Sequence, residues 1–252
     1  PMLRSLVGSE MCIRDRYRKP NLYDGTMGLS DHLLLYVLSW SYFIFKQMNL
    51  WVNYKKVLHD TFDLQFAHPW ADWESKGTVL SAKVFKNDYI IKSRVVEIWN
   101  DKSSIYNNII YPKTGSNLPC FGMDLMGFFD KKVIIVFDFQ HPVENYLFSV
   151  DGLPKSKGDY RFFEPGNHFS ENVYIAKCMM SEVDEHLDMF TKYLTKYKEM
   201  VELEKPTGTD TSVYKDFDAY MTKLDPVSGY LSGKFGKQKA ESLVNDFLFS
   251  YD

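Results

Sequence analysis

Asp124 is the side chain of this sequence whose surroundings best suit proton-transfer chemistry. It lies in the run 118–126 (LPCFGMDLM), and the pleat of a strand there would place it on the same face as Cys120 and Gly122. A carboxylate beside two small residues has open space in front of it. If helices cover that face, burial should raise the carboxyl pKa towards a range in which it donates protons near neutral pH. An aspartate at the sheet edge, facing water, explains the same spacing equally well.

Two further polar residues could take part in chemistry. Asn107 lies between Ile105 and Ile109 on one face of a preceding predicted strand, so its amide needs a partner, either a backbone group or a ligand. Asp225 follows a predicted helix and precedes Pro226, which biases it towards an extended conformation. On sequence grounds alone, an Asp-Pro pair there favours a helix stop over a catalytic residue.

The elements that must position these side chains form two groups along the chain. Short runs rich in β-branched and aromatic residues predict strands over 78–86, 88–99, 104–111, 119–126 and 132–139. The connections between them hold one to seven residues, which leaves no room for crossover helices. We therefore expect an antiparallel meander.

Helical periodicity flanks these strands on both sides. Apolar residues recur at helical spacing over about 50–62, 182–203, 210–224 and 237–249. The apolar faces of these helices must be buried against another element, and the predicted sheet has two faces that can receive them. The predicted fold class is α/β, a three-layer α/β/α sandwich with a central antiparallel sheet, in a single domain over 50–252.

Composition excludes several functional classes. A net charge of -3 gives no basic stripe for nucleic acid. Cys12, Cys120 and Cys178 lie far apart, and the histidines show no metal-type spacing, so no metal or iron–sulfur site is predicted. No Gly-x-Gly-x-x-Gly motif follows a predicted strand, so a fold that binds a nicotinamide or flavin cofactor is not predicted. The aromatic content of 16% fits either an aromatic core or a cavity for a flat conjugated ligand.

The first 49 residues do not belong with the rest. Residues 5–16 show neither helical nor strand periodicity and resemble a translated sequencing adapter. The apolar run 33–45 is thirteen residues long, too short to span a bilayer, and no signal-peptide cleavage site follows it. We expect residues 1–49 to be an artefactual or disordered extension, with an added amphipathic helix as the alternative.

From about residue 50 onward the chain resembles the ferredoxin-dependent bilin reductases, and within them the phage-type phycoerythrobilin synthases. The resemblance rests on seven blocks that fall in order at matching spacings: 105–107 (IYN), 111–115 (YPKTG), 118–126 (LPCFGMDLM), 133–142, 146–154 (YLFSVDGLP), 160–164 (YRFFE) and 224–226 (LDP). It implies that an open-chain tetrapyrrole binds between the sheet and the C-terminal helices. It also implies that Asp124 and Asp225 reach this ligand from opposite sides as the proton-donating carboxylates.

The same resemblance assigns the remaining site residues. Asn107 occupies the position of a histidine in the phycocyanobilin-forming branch, which argues against phycocyanobilin as product because an amide does not titrate near neutrality. Glu97 matches a further family carboxylate only if a gap of two residues is allowed. The bases that could bind propionates at the rim of the predicted pocket are Arg161, Arg94 and Lys237. Two residues of the Asp124 strand, Cys120 and Met123, complete the predicted pocket. The three bases are candidates by position rather than by motif, and an ordinary surface base is the favoured interpretation of each.

The resemblance also implies the reaction. We expect biliverdin IXα to be reduced to phycoerythrobilin through 15,16-dihydrobiliverdin, by one-electron steps through bilin radicals. No cofactor is expected to be bound, since the electrons come from an external reduced [2Fe-2S] ferredoxin. A heme oxygenase would act upstream, and we expect a cytoplasmic monomer that contacts neither membrane nor nucleic acid. The alternatives are a reductase that performs one two-electron step or has another regiospecificity, and a bilin-binding chaperone or lyase.

Overall fold

The sheet is an uninterrupted antiparallel meander. The computed structural model describes residues 50–250 except 114–117, 130–131, 157–164, 205–211 and 225–226. Its strands are β1 (Gln65–Ser75), β2 (Thr78–Lys86), β3 (Ile90–Trp99), β4 (Ser103–Pro112), β5 (Cys120–Phe128), β6 (Val133–Gln140) and β7 (Tyr174–Cys178). They pair in sequence order, each antiparallel to the next. The predicted meander is confirmed, with one more strand at each edge.

The described helices precede and follow the sheet along the chain. They are α1 (Val52–Phe62), α2 (Leu187–Glu204), α3 (Lys215–Leu224), α4 (Ser228–Phe235) and α5 (Lys237–Leu243). Short 3-10 turns lead into α2 and α3, and a π-helical turn, Val244–Leu248, continues α5. The predicted helix over 237–249 is therefore one continuous element whose last turn is widened. Within the described residues, no helix is both long and apolar enough to cross a membrane.

Two helices, α1 and α2, cover one side of the sheet, which we call face one. On this face the odd residues Phe121 to Leu125 of β5 pack into an aromatic core with both helices. Tyr193 of α2 illustrates the packing, because its ring centroid lies 4.8 Å from that of Phe137 and 5.6 Å from that of Phe139. Buried rings of this size stabilise a fold by about 1.5–3 kcal/mol each. Many of the aromatic residues of the sequence therefore belong to the hydrophobic core on face one.

The opposite side, face two, is covered by two separate groups of helices. Over β4 to β6 the apolar residues pack against α3, for example Ile109 and Val136 against Phe217. Over β1 to β3 they pack against α4 and α5, for example Val96 against Leu243. Helices on both sides of an antiparallel sheet confirm the predicted three-layer α/β/α sandwich.

Three described elements were not predicted from the sequence. β1 is an edge strand with a Pro at position 69 and two register shifts, and its outward residues are mixed in polarity, so it shows no clean alternation. β7 has five residues. α4 contains Gly229 and Gly233, which lower helix propensity. Its apolar contacts with the sheet edge compensate for that composition, with Leu231 fully buried.

Candidate active site

Asp124 lies on face two, near the middle of β5. Its face neighbours Cys120 and Met126 belong to the apolar cluster under α3, whereas Phe121 and Leu125 belong to the face-one core. The alternation expected from the strand pleat is therefore confirmed. Cys120 and Met126 are buried, but the side chain of Asp124 keeps part of its surface exposed. A partly exposed carboxylate thus lies between the buried residues Cys120 and Met126 of this face.

Asn107 is the partner of Asp124 on the neighbouring strand. The two residues face each other directly in the β4–β5 register, and the Asn107 side chain donates a hydrogen bond to the carboxylate. Burial raises the pKa of Asp124 to about 6, and the hydrogen bond from Asn107 acts in the opposite direction by stabilising the ionised form. Asp124 can therefore hold a proton in slightly acidic conditions and release it near neutrality, as a general acid requires.

This pair lies where the two apolar clusters of face two meet. Across the sheet, Asn107 is flanked by Val96 of the cluster under α4 and α5, and Asp124 by Val136 of the cluster under α3. The carboxylate and amide therefore form the floor of a seam between α3 on one side and α4 and α5 on the other. In the chain, the α3–α4 connection contains Asp225. The position of Asp225 itself is outside the described residues, as is that of Arg161.

Arg94 lies one cross-strand row away from this pair and is fully buried. It faces Ile109, whose partner on β5 is Gly122, next to Asp124 on the same face. Its Nη1 donates to the Phe247 carbonyl at 3.0 Å, and its guanidinium lies 5.3 Å from the Phe249 ring centroid. Among the described residues, Nε and Nη2 have no hydrogen-bond partner. A surface base is therefore the wrong interpretation of Arg94, and a buried guanidinium with free donors is suited to an anionic ligand group.

The other predicted pocket residues do not gather around Asp124. Glu97 lies on face one, where its carboxylate accepts from Lys55 Nζ at 2.8 Å. Met123 is also on face one, buried in the aromatic core. Lys237 begins α5 with a largely exposed side chain, 3.6 Å from Glu241. Of the described residues assigned by resemblance, only Asn107, Arg94 and Cys120 share a face with Asp124.

The open space that we expected in front of Asp124 is smaller than the small neighbours suggested. Cys120 is fully buried, and burial raises the pKa of its thiol, so it is a protonated wall residue. The space above Gly122 is filled by the side chain of Gln140 from β6. The seam beside Asp124 is therefore narrower and more polar than predicted.

Two buried acids on face two were missed by the sequence analysis. Asp218 of α3 accepts a hydrogen bond from the Tyr111 hydroxyl at 2.6 Å. Asp138 of β6 accepts from the backbone N–H of Ser170 at 2.9 Å and from its hydroxyl, and burial raises its pKa well above the ordinary range. Both had a signal in the sequence. Asp218 directly follows the buried Phe217 and lies three residues before the buried Met221 in α3, and Asp138 interrupts the apolar run of β6.

A separate cavity of about 610 Å³ lies at one end of the molecule, between the ends of α1 and α2 and the β2–β3 turn. Its lining carries charges of both signs, including Asp60, Asp88, Lys86 and Lys198. None of the residues on the seam belongs to it. The chemistry suggested by Asp124 and this cavity are therefore in different places.

The fold and the seam together define an α/β/α protein with a partly exposed carboxylate on the sheet between two groups of helices. A family model described as ferredoxin-dependent bilin reductase matches residues 59–250. The chain belongs to the ferredoxin-dependent bilin reductases, and it is a ferredoxin-dependent bilin oxidoreductase. The predicted family is confirmed.

Individual relatives agree with this placement. The chain is 28% identical over 168 residues to a 15,16-dihydrobiliverdin:ferredoxin oxidoreductase of Gloeobacter violaceus, covering 59% of this chain and 69% of that protein. It is 28% identical over 187 residues to a phycoerythrobilin:ferredoxin oxidoreductase of Prochlorococcus marinus, covering 63% and 72%. The crystal structure of tomato phytochromobilin synthase in complex with biliverdin superposes with a TM-score of 0.57 at 17% identity, covering 79% and 83%. The last similarity supports the fold.

Proposed function

We propose that this chain reduces biliverdin IXα to phycoerythrobilin in two successive two-electron steps, with 15,16-dihydrobiliverdin as the intermediate. Each step takes two electrons, delivered singly by reduced [2Fe-2S] ferredoxin, and two protons. The ligand passes through radical states after each first electron. The names of the relatives support this scheme, since one contains the intermediate and another the product. The biliverdin in the tomato enzyme supports the choice of substrate.

The position and acidity of Asp124 carry the proposal. An electron enters a conjugated ligand more easily once the ligand is protonated, because the added negative charge is then neutralised. Asp124 offers a proton from the floor of the cleft, and its pKa of about 6 makes that proton available at little cost near neutrality. The apolar residues on either side of the Asn107–Asp124 pair, Val96 and Val136, would exclude water from the reacting edge of the ligand.

Asn107 favours phycoerythrobilin over phycocyanobilin as product. Its amide hydrogen-bonds to Asp124 but adds no titratable group, so it leaves a single proton donor on the sheet side. We assign the second carboxylate, which serves reduction of the A ring, to Asp225. That assignment rests on the resemblance of the 224–226 block, in the connection between α3 and α4.

The buried guanidinium of Arg94 is the described base best suited to a ligand carboxylate. Its free Nε and Nη2 could form the two parallel hydrogen bonds of a bidentate pair with a bilin propionate. Arg161 and the exposed Lys237 are our further candidates for the propionates. We propose that no cofactor is held by the chain and that ferredoxin docks as a separate protein near the cleft, with a heme oxygenase supplying biliverdin.

A single anaerobic assay separates this proposal from its alternatives. Biliverdin is added with ferredoxin, ferredoxin reductase and NADPH, and absorption spectra are recorded until they stop changing. Passage through a 15,16-dihydrobiliverdin band to phycoerythrobilin supports the proposal. A stop at the intermediate would instead show a one-step reductase. A bound but unchanged biliverdin spectrum would show a chaperone or lyase.

A further inference from the structure

Gln140 is a buried polar residue of face two that the scheme above does not use. It ends β6, lies opposite Cys120 in the β5–β6 register and is 6% exposed. Its carboxamide carbon is 2.6 Å from the position that a Cβ atom would take at Gly122. The Gln140 side chain thus occupies the space of the missing side chain, and a residue larger than glycine at position 122 would displace it.

This placement brings a carboxamide next to the proton donor. Gly122 and Asp124 are two residues apart on the same face of β5, so the group above Gly122 borders the floor of the seam. The Oε1 atom of Gln140 is shielded from solvent and has no hydrogen-bond partner among the described residues. A buried acceptor without a donor is unfavourable in the ligand-free protein. Pairing it with a donor on a ligand would therefore favour the bound state.

The chemistry of a carboxamide indicates which part of a ligand it would contact. A carboxamide presents an acceptor and a donor side by side. The two terminal rings of an open-chain tetrapyrrole are lactams, each with an N–H and a C=O on one edge. We infer that Gln140 pairs through two hydrogen bonds with a terminal lactam and so fixes that ring beside Asp124. Gln140 is then a specificity residue of the bilin cleft, and this assignment rests on the function proposed above.

A merely structural role for Gln140 leads to a different expectation. If the amide stabilised the sheet, its replacement by an apolar residue of the same length would destabilise the ligand-free protein. Because Oε1 is unpaired, Gln140→Met should instead leave the melting temperature of the free protein unchanged or raise it. Asn108 offers a matched control, since it is a buried amide with an unpaired oxygen on face one.

The test measures biliverdin affinity by absorption titration for the full chain, Gln140→Met, Gln140→Glu and Asn108→Leu. We expect Gln140→Met to bind biliverdin about tenfold more weakly than the parent chain, because it loses one to two hydrogen bonds to the ligand. Its melting temperature without ligand should be unchanged or higher. Asn108→Leu should bind within about twofold of the parent chain, because face one does not contact the ligand. Gln140→Glu should bind weakly at pH 8 and approach the parent as pH falls, because a protonated carboxyl again offers a donor and an acceptor.

The possible outcomes separate this inference from the proposed function. Unchanged affinity in Gln140→Met, with the parent chain binding biliverdin, would overturn the lactam assignment alone. A loss of affinity accompanied by a lower melting temperature of the free protein would also overturn it, in favour of a structural role. If the parent chain does not bind biliverdin, the proposed function fails and this assignment fails with it.

Discussion

At Asp124, burial and a hydrogen bond act in opposite directions on one carboxyl group. Burial raises the pKa to about 6, and the donated hydrogen bond from Asn107 keeps it from rising further. A group with a raised pKa stays protonated up to that pH and loses its proton above it. Proton donation by Asp124 should therefore be fastest below about pH 6 and decline as the pH rises through that value.

Replacement of Asn107 by leucine tests this balance directly. The variant keeps the size of the side chain but removes the hydrogen bond that stabilises the carboxylate, so the pKa of Asp124 should rise. We expect the falling limb of the single-turnover rate to move upward by about one pH unit. Stopped-flow absorption between pH 5 and 9 measures it, with Asn108→Leu as the control. A limb that stays in place or moves to lower pH would refute the role given to Asn107.

At the scale of single elements, the two helix groups on face two are held by different contacts. α3 is fixed to the sheet by the buried bond from Tyr111 to Asp218, and the turn before it by the bond from Tyr214 to the Leu118 carbonyl at 2.9 Å. The π-helical turn after α5 is fixed by Arg94 through the Phe247 carbonyl. These separate anchors hold the two groups of helices over different parts of face two.

The anchoring of α3 gives a prediction about stability. In Tyr111→Phe the buried carboxyl of Asp218 loses a donor, which should lower the free energy of unfolding by about 1–3 kcal/mol. Tyr214→Phe removes a bond to a neutral carbonyl and should cost less, about 0.5–1.5 kcal/mol. Urea unfolding of both variants at neutral pH compares the two losses. An equal or smaller loss in Tyr111→Phe would contradict the anchoring role of Asp218.

The elements also show how far sequence reasoning reaches. Strands β2 to β6 were predicted because each has a β-branched and aromatic run bounded by turn residues, and the face of Asp124 followed from the pleat alone. β1 and α4 were missed because their stability comes from tertiary contacts rather than local pattern, as the burial of Leu231 in a glycine-containing helix shows. The filling of the Gly122 space by Gln140 joins two strands, and single-strand periodicity carries no information about it.

At the scale of the whole molecule, the two faces of the sheet carry different residues. Face one is an aromatic core under α1 and α2, whereas Asp124, Asn107 and Arg94 lie on face two. Resemblance placed Glu97 in the pocket, but the strand register turns it towards Lys55 on face one. The gap of two residues does not by itself explain the misplacement, because side chains alternate with a period of two and a shift by two residues keeps the face.

The two-face arrangement predicts that Glu97 is dispensable for turnover. Glu97→Gln removes a partly buried ion pair with Lys55. Stability should change by about 1 kcal/mol or less, and the rate of biliverdin consumption should stay within about twofold. Steady-state assays with ferredoxin and thermal unfolding measure the two quantities. A large loss of turnover with normal stability would place Glu97 in the site after all.

The most direct test of the central claim is a single-turnover measurement on Asp124→Asn. The amide keeps the size and polarity of the side chain but cannot donate the proton, so biliverdin should bind with its spectrum unreduced while the first reduction slows by about 100-fold or more. Asp101→Asn, an exposed carboxylate on the β3–β4 turn, is the matched control and should react at the parent rate. Reduction of biliverdin by Asp124→Asn at the parent rate would contradict the assignment of Asp124 as the proton donor.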